Sequence, residues 1–482
     1  MGQYLKAKFS MTILLIFFAA GFAGGLCGCS TFSKSQSEQG KPEKDHKLSD
    51  RRLAEDTATL SVSMAGVVDW DLMHTRPECK TSPDGPVRTF CMDTDRKEMA
   101  KLSGMEDKVK AMIEQAKDST AKIYIAYFSF SNFAAFDALC AAGKRGVQIE
   151  GYFDTDYKAD QNNNPNRLQN QCQQDPQAPK NVKIFFLGEK KKNPDGSLLV
   201  WRLHHNKFLI VDPGPNENNV NLNFSSGNLS ASGLSIHFDH WAKLVVSKDS
   251  NIFKIHQCVL QGLRAAITNT DGEALPTDRP EVYKAIMQTC LQTLDTNVES
   301  AIASEGIAPL FAPNANNEIY RALKTTIDSV VKGGKIYGAI QHFLHLGIKG
   351  DLARAVQRGV EVRLIMDDDV ILGSSEVPGV GDFYQSQLKP SGIKIQFLQT
   401  NASVMQMMHN KFLIFEKARV QGVLQNRVFS GAGHFTTSAM KNNYENFYLT
   451  QNATLTAKYQ DLFNYMWPRS VSEQVASGKP TN

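Results

Sequence analysis

The amino-acid sequence predicts an α/β protein made of two similar sandwich domains, and three observations carry that prediction. The octapeptide HNKFLIVD at His205–Asp212 returns as HNKFLIFE at His409–Glu416. Upstream of each copy the order helix, strand, helix, strand repeats. Met105–Ala116, AKIYIAYFSF from Ala121 and FDALCAAGKRGVQIEGYFD ending at Asp154 are answered by Glu318–Val331, GKIYGAIQHF from Gly334 and KGDLARAVQRGVEVRLIMD ending at Asp367. Strands alternating with helices in this way argue a mostly parallel sheet in each half.

Each element has a local reason. Gly146 and Gly359 follow the last residues of their helical stretches, where a glycine ends a helix most easily. A further strand pair is NVKIFFLG from Asn181 and GIKIQFLQ from Gly392. Phe208–Val211 and Phe412–Phe415 are apolar without interruption, the pattern of strands buried on both faces, with the polar His-Asn-Lys at the strand entry. The first domain is expected over 59–249 and the second over 309–468. Helices at Asn251–Ile267 and Pro280–Ile302 form a connector over 250–308, and the polar tail 469–482 is expected to be disordered.

The N-terminal segment has a secretory shape, with Lys6 and Lys8 ahead of an apolar run from Met11 that is short for a membrane span. LCGC, ending at Cys29, is similar to a bacterial lipobox, which implies a signal peptide over 1–28, lipid attachment at Cys29 and, because Ser30 follows rather than Asp, the outer membrane. Residues 29–58 are polar and charged and read as a flexible tether. Export permits disulfides. Six further cysteines pair most simply with their nearest neighbours: Cys79 with Cys91 across a Pro/Gly loop, Cys140 with Cys172 and Cys258 with Cys290. A small buried residue is the other reading for Cys140.

The chain has 482 residues and 42% hydrophobic content, enough for sizeable cores. The net charge of +4 falls to +2 without Lys6 and Lys8. That is not the broad positive field of a duplex-DNA protein.

The repeat continues past the octapeptide. SSGNLS at Ser225–Ser230 matches GAGHFT at Gly431–Thr436, and Asp239 matches Glu445. His-x-Lys-x4-Asp, then a Gly/Ser-x-Asn element, then an acidic residue, resembles the phospholipase D superfamily. The second copy departs from that pattern at Glu416, Ala432 and His434, and the first at Ser225 and Asp239. Both histidines and both lysines are intact, so an active enzyme with an asymmetric site is expected.

The resemblance implies a pseudo-twofold arrangement with the active site between the halves, completed without a homodimer. It implies His205 as nucleophile forming a phosphohistidine and His409 as general acid and then base, or the reverse. The residue types suit that chemistry: imidazoles titrate near neutrality, lysines supply fixed charge, and hydroxyl and amide groups donate to phosphoryl oxygens. Lys207 and Lys411 would hold the phosphate, with Ser226 and Asn228 on the first side and His434 on the second, where Ala432 has lost a donor. Asp239 and Glu445 would fix the far nitrogens of the histidines. Asp212 and Glu416 would anchor the motif structurally. His204, His237 and His240 lack typical zinc-ligand spacing and read as structural; no metal or cofactor is implied.

Lys190–Lys192 form a basic loop beside a turn, a solvated tip or a contact for substrate phosphates. Trp201 and Trp241 would pack in the core or stack on a base. The motif names a bond type, not a substrate. Membrane attachment favours phospholipase D-type cleavage or transfer of a phosphatidyl group in a monomeric enzyme. A metal-independent endonuclease is the alternative, and a non-catalytic phosphate- or lipid-binding protein a third reading.

Overall fold

The structure is a computed structural model that describes residues 61–64, 79–80, 87–88, 104–175, 180–192, 198–267, 279–373, 375, 377–400 and 406–478. The leader, Cys29 and the tether lie outside the described residues, as does the Cys79–Cys91 pairing through Cys91.

In chain order the strands of the first half are β1 (Ser61–Met64), β2 (Cys79–Lys80), β3 (Val87–Arg88), β4 (Lys122–Tyr127), β5 (Gln148–Asp154), β6 (Val182–Lys192), β7 (Leu198–Leu203), β8 (Lys207–Asp212), β9 (Asn219–Ser225) and β10 (Trp241–Ser247). The second half contributes β11 (Ile307–Ala312), β12 (Val330–Ile340), β13 (Glu361–Asp367), β14 (Lys394–Leu398), β15 (Lys411–Val420), β16 (Val423–Gly431) and β17 (Glu445–Thr450). The sheets have the orders β1-β10-β9-β8-β4-β5-β6-β7 and β11-β17-β16-β15-β12-β13-β14, with β2 and β3 a separate pair.

Two similar α/β halves are therefore present, but the expectation of mostly parallel sheets is corrected. Only β4-β5-β6 and β12-β13-β14 are parallel. The motif strands β8 and β15 run antiparallel to β4 and β12. Parallel neighbours need a long crossover, usually a helix, and among the described residues no helix separates β6 from β8, β8 from β9 or β15 from β16. The alternation of helix and strand thus holds only for the first part of each copy.

The local predictions hold where the chemistry is local. Helix Phe133–Lys144 ends before Gly146 at φ 90°, and helix Leu346–Gln357 before Gly359 at φ 84°, the left-handed conformation that glycine adopts without penalty. Both sheets are covered on both faces. Phe208 and Ile210 of β8 enter a central core with Phe412 and Ile414 of β15, whereas Leu209 and Val211, and Leu413 and Phe415, enter separate outer cores. This two-residue alternation explains the unbroken apolar runs. The central core is shared by both halves through helix Asn251–Ile267, helix Ala453–Met466 and the stacked pair Phe224–Tyr448, with centroids 3.7 Å apart.

Two of the nearest-neighbour disulfides are present. Cys140–Cys172 ties helix Phe133–Lys144 to the end of helix Asn164–Gln171, and Cys258–Cys290 joins the two connector helices. Each spans 32 residues. Opening the first by a Cys140→Ala/Cys172→Ala pair is expected to cost about 3–4 kcal/mol through the freed unfolded chain, read as a lower urea midpoint.

The tail prediction is corrected as well. Val471 exchanges backbone hydrogen bonds with Phe397 at 2.8 and 2.9 Å, and Ser472 caps helix Glu473–Ala476. Ala476 is buried in the outer core of the second half. A single strand residue and one small apolar contact suffice to dock a mostly polar segment. Among the described residues no helix is long and apolar enough to cross a membrane.

Candidate active site

Because β8 is antiparallel to β4, its first residue Lys207 lies opposite Tyr127, the last residue of β4. The HNK triplet therefore sits at the sheet edge where β4 and β5 end, and the second triplet sits likewise beside β12 and β13. Asp154 closes β5 and accepts the backbone N–H of His204 at 2.8 Å; Asp367 closes β13 and accepts that of Met408 at 2.5 Å. These aspartates fix the entry to each motif. Their equal positions in the two copies were the sequence signal for them.

The halves are then stitched together by equivalent backbone bonds. Tyr444 N–H donates to Leu203 O and His205 N–H to Tyr444 O, both at 2.8 Å. Phe238 N–H donates to Met407 O at 2.9 Å and His409 N–H to Phe238 O at 3.1 Å. Each motif is paired with the acidic segment of the other half. As a result Glu445 Oε2 lies 2.7 Å from His205 Nδ1, and Asp239 Oδ1 lies 2.8 Å from His409 Nδ1. The carboxylates do hold the far nitrogens of the histidines, and they do so crosswise. Asp239 reaches His409 despite being one methylene shorter than glutamate.

Lys207 Nζ lies 2.8 Å from His205 Nε2, and Lys411 Nζ donates to His409 O at 2.5 Å. Both lysines are buried. His434 occupies the space between the two motifs, its ring centroid 5.4 Å from that of His205, 6.0 Å from that of His409 and 4.7 Å from that of His342, on which it stacks. Phe128 packs 5.3 Å from His205. Asn228 lies in the loop between β9 and β10, its Oδ1 buried without a hydrogen-bond partner among the described residues.

Three roles change. Ser226 donates to Asp239 Oδ1 at 2.7 Å and accepts from His240 N–H, so its hydroxyl holds the carboxylate rather than a phosphate. The loss at Ala432 is therefore the loss of a carboxylate holder, and on that side Asn443 donates to Glu445 Oε1 at 3.1 Å. His237 stands two residues before Asp239 just as Asn443 stands two before Glu445; its Nδ1 is 3.7 Å from Asp239 Oδ2 and its ring 5.5 Å from His409. It belongs to the site and is not merely structural. His240 with Asn410, and His204 with Asn206, are buried supports as expected. Asp212, the last residue of β8, pairs with Lys248 at 2.7 Å, and Glu416, five residues along β15 from Lys411, pairs with Lys335 at 3.2 Å; both ion pairs involve residues outside the motif triplets.

Among the described residues, His237, Asp239 and His409 form a group compact enough for a cation, with ligand atoms within 4.8 Å of one another. A cation there would compete for the Nδ1 that Asp239 holds. Lys190 and Lys191 extend β6 rather than a free loop, and pair with Asp156 and Glu189. Trp201 is 48% exposed with Lys190 Nζ 5.7 Å from its ring, while Trp241 is buried with its indole N–H on Gly233 O.

Burial sets the electrostatics. It pushes His409 down to about 3, with Lys411 adding repulsion and Asp239 opposing, and holds His205 well below the usual imidazole range with the help of both lysines. Lys207 is pushed down to about 7 by burial against the pull of Glu445 and Asp239, and burial likewise holds Lys411 well below the usual amine range. Burial raises Glu445 to about 8; the same force acts on Asp239 but is overcome by His409, His237 and Lys411, which hold it well below the carboxylate range. A phosphoryl group bound among these lysines would favour their charged form and relieve their mutual repulsion. Binding of a singly charged phosphoryl or phosphinyl anion is accordingly expected to take up a proton above pH 7, where Lys207 on its own is mostly neutral. The affinity of a phosphinate such as diethylphosphinate, which has no ester bond to cleave and is singly charged throughout, should weaken by up to about tenfold per pH unit from pH 7 upward, as titration calorimetry would read.

Two histidines backed by carboxylates and two buried lysines, brought together from both halves, define a phosphodiesterase site of the phospholipase D type. A family model described as cardiolipin synthase, PLD-like domain, matches residues 109–261 and 326–467, and the chain belongs to that family. The mitochondrial cardiolipin hydrolase of Drosophila melanogaster is 30% identical over 143 residues, 27% of this chain and 51% of that protein. The Xenopus tropicalis protein of the same name is 30% identical over 120 residues, 24% and 48% of the two chains. The chain thus spans about half the length of the curated relatives it matches. Among solved structures, the phosphatidylserine synthase of Haemophilus influenzae is similar with a TM-score of 0.48 and 13% identity, over 78% of this chain and 86% of that one.

Proposed function

We propose that this phosphodiesterase hydrolyses or transfers the phosphatidyl group of glycerophospholipids. The crossed His205–Glu445 and His409–Asp239 pairs carry the reading, because they supply two differently held imidazoles on one phosphoryl centre. Glu445 orients His205 so that Nε2, beside Lys207, attacks phosphorus and forms the N–P bond. The P–O bond to the head group breaks as His409, made imidazolium by the arriving phosphodiester anion and Asp239, gives its proton to the leaving oxygen. Water or an alcohol then attacks phosphorus, His409 takes its proton, and the N–P bond breaks to release phosphatidate or its ester and free His205. Lys207, Lys411, Asn228 and His434 bear on the phosphoryl oxygens where charge accumulates.

The match to a cardiolipin-synthase family and to cardiolipin hydrolases supports a phospholipid substrate. The lipobox at Cys29 supports attachment to a bacterial outer membrane facing periplasm or cell surface. One observation favours a metal-independent nuclease instead: exposed Trp201 over Lys190 offers a base-stacking platform. The protein should be incubated with chelator and either mixed phospholipid vesicles or single-stranded DNA, with His205→Ala as control. Head-group release absent in the variant is expected. DNA cleavage without lipid turnover would replace this reading with the nuclease.

A further inference from the structure

Scattered exposed apolar side chains need no explanation, but two at the same place in a repeat do. Phe133 is the twelfth residue after Ala121 and Leu346 the twelfth after Gly334. They are 66% and 62% exposed. Each is the first residue of its helix, Phe133–Lys144 or Leu346–Gln357, and each helix start is fixed by a side-chain cap, Asn132 on Ala135 N–H and His345 on Ile348 N–H. A helix face turned to a core would place its apolar residue inward; here the first residue of both helices is held outward.

Both positions are tied to the active site by equivalent backbone bonds. Ser131 and Asn132 N–H donate to Leu229 O at 3.1 and 3.2 Å, and Leu229 follows Asn228. Leu344 N–H donates to Phe435 O at 2.9 Å, and Phe435 follows His434. The two apolar residues therefore stand one in each half, each beside the loop that carries Asn228 or His434. Two further exposed apolar side chains belong to segments next to the motifs: Trp201, 48% exposed, precedes the first motif, and Leu372, 41% exposed, follows β13. Neither helix carries an acidic residue in its first turn, so their positive dipole ends suit anionic headgroups.

We propose that Phe133 and Leu346 are a pair of membrane-inserting prongs, one from each half, that seat the active-site mouth on an anionic phospholipid bilayer. The proposal rests on the phospholipid reading above and extends it: the substrate is drawn from an assembled surface rather than from solution. Both side chains enter the acyl boundary, and the headgroup layer meets the groups between them.

The test compares the full chain carrying Cys29→Ser, which removes the acyl anchor, with the same chain also carrying Phe133→Ser and Leu346→Ser. Sedimentation with phosphatidylethanolamine/phosphatidylglycerol vesicles, head-group release from those vesicles, and hydrolysis of soluble bis(p-nitrophenyl) phosphate are measured. Vesicle partitioning is expected to fall about ten- to a hundredfold, with vesicle turnover falling in step and soluble turnover unchanged within about twofold. Unchanged partitioning would overturn the proposal. Should the double variant lose soluble activity too, Leu346→Trp decides: a blue shift of its added emission on vesicles supports insertion, and no shift overturns it. If the parent binds vesicles through the prongs yet releases no head group, docking stands and the substrate reading fails. Prong-dependent binding of single-stranded DNA without vesicle binding would overturn the docking itself.

Discussion

Replacing His205 by alanine is expected to lower turnover by about 10⁴-fold or more while leaving the fold intact. The loss should be that large because the nucleophile and its partners act as one unit, so removing one member forfeits most of what the unit supplies. The proposed mechanism places the nucleophile at His205. Its Nδ1 is held by Glu445 at 2.7 Å and its Nε2 sits 2.8 Å from a lysine amine. Burial and both lysines keep the ring neutral, the form that can attack. His409→Asn should behave differently: with a good leaving group such as p-nitrophenolate, departure needs no acid, so a burst of one equivalent should precede a stalled steady state. Rapid-quench kinetics of the two variants separates nucleophile from acid/base.

The second large effect concerns a residue in the other half. Glu445→Gln is expected to cost up to about 10⁴-fold in turnover, the scale on which removing the carboxylate behind a catalytic histidine acts, because the amide no longer fixes the tautomer. The crossed geometry makes this specific. In a double-mutant cycle Glu445→Gln should be nearly silent on a background of His205→Ala and strongly additive with Ser226→Ala, which loosens Asp239 and so His409. Pairing within each half would give the opposite pattern of coupling. The raised affinity of Glu445 for a proton, about 8, against the fully ionised Asp239 adds a difference in pH dependence. Between pH 6 and 8 the His205–Glu445 pair gains negative charge while His409–Asp239 does not change, so Glu445→Gln should lose the part of the pH profile that Glu445 contributes and keep that of Lys207, whereas Asp239→Asn should keep both.

Much of this was legible in the sequence because it was written twice. The two histidines, the two lysines, the glycine helix ends, both described disulfides and the structural placing of Asp212 and Glu416 follow from local pattern. Strand direction did not, because it depends on what connects β6 to β8, which only the absence of a helix reveals. The pairing of Asp239 with His409 was invisible for a similar reason: equal spacing in the two copies marks equivalent residues, and equivalent residues across a twofold touch each other's partners. Ser226 was misread because a hydroxyl near a phosphate site serves a carboxylate equally well. His237 and Asn443 share a position without sharing chemistry, and His342 stands where the first copy has Ser129, so neither showed as a repeat. Their part in the site is visible only from ring distances and shared neighbours.

The central claim is a covalent phosphohistidine on His205 in a site completed by both halves. The chain carrying His409→Asn should be mixed in chelator with vesicles of phosphatidyl-p-nitrophenol, whose p-nitrophenolate head group departs without an acid, quenched in mild alkali, where a phosphoramidate survives, digested and weighed by mass spectrometry. A phosphatidyl adduct on the peptide containing His205 is the predicted result; an adduct on another residue, or release of head group by the native protein with no adduct trapped in the variant, would contradict it.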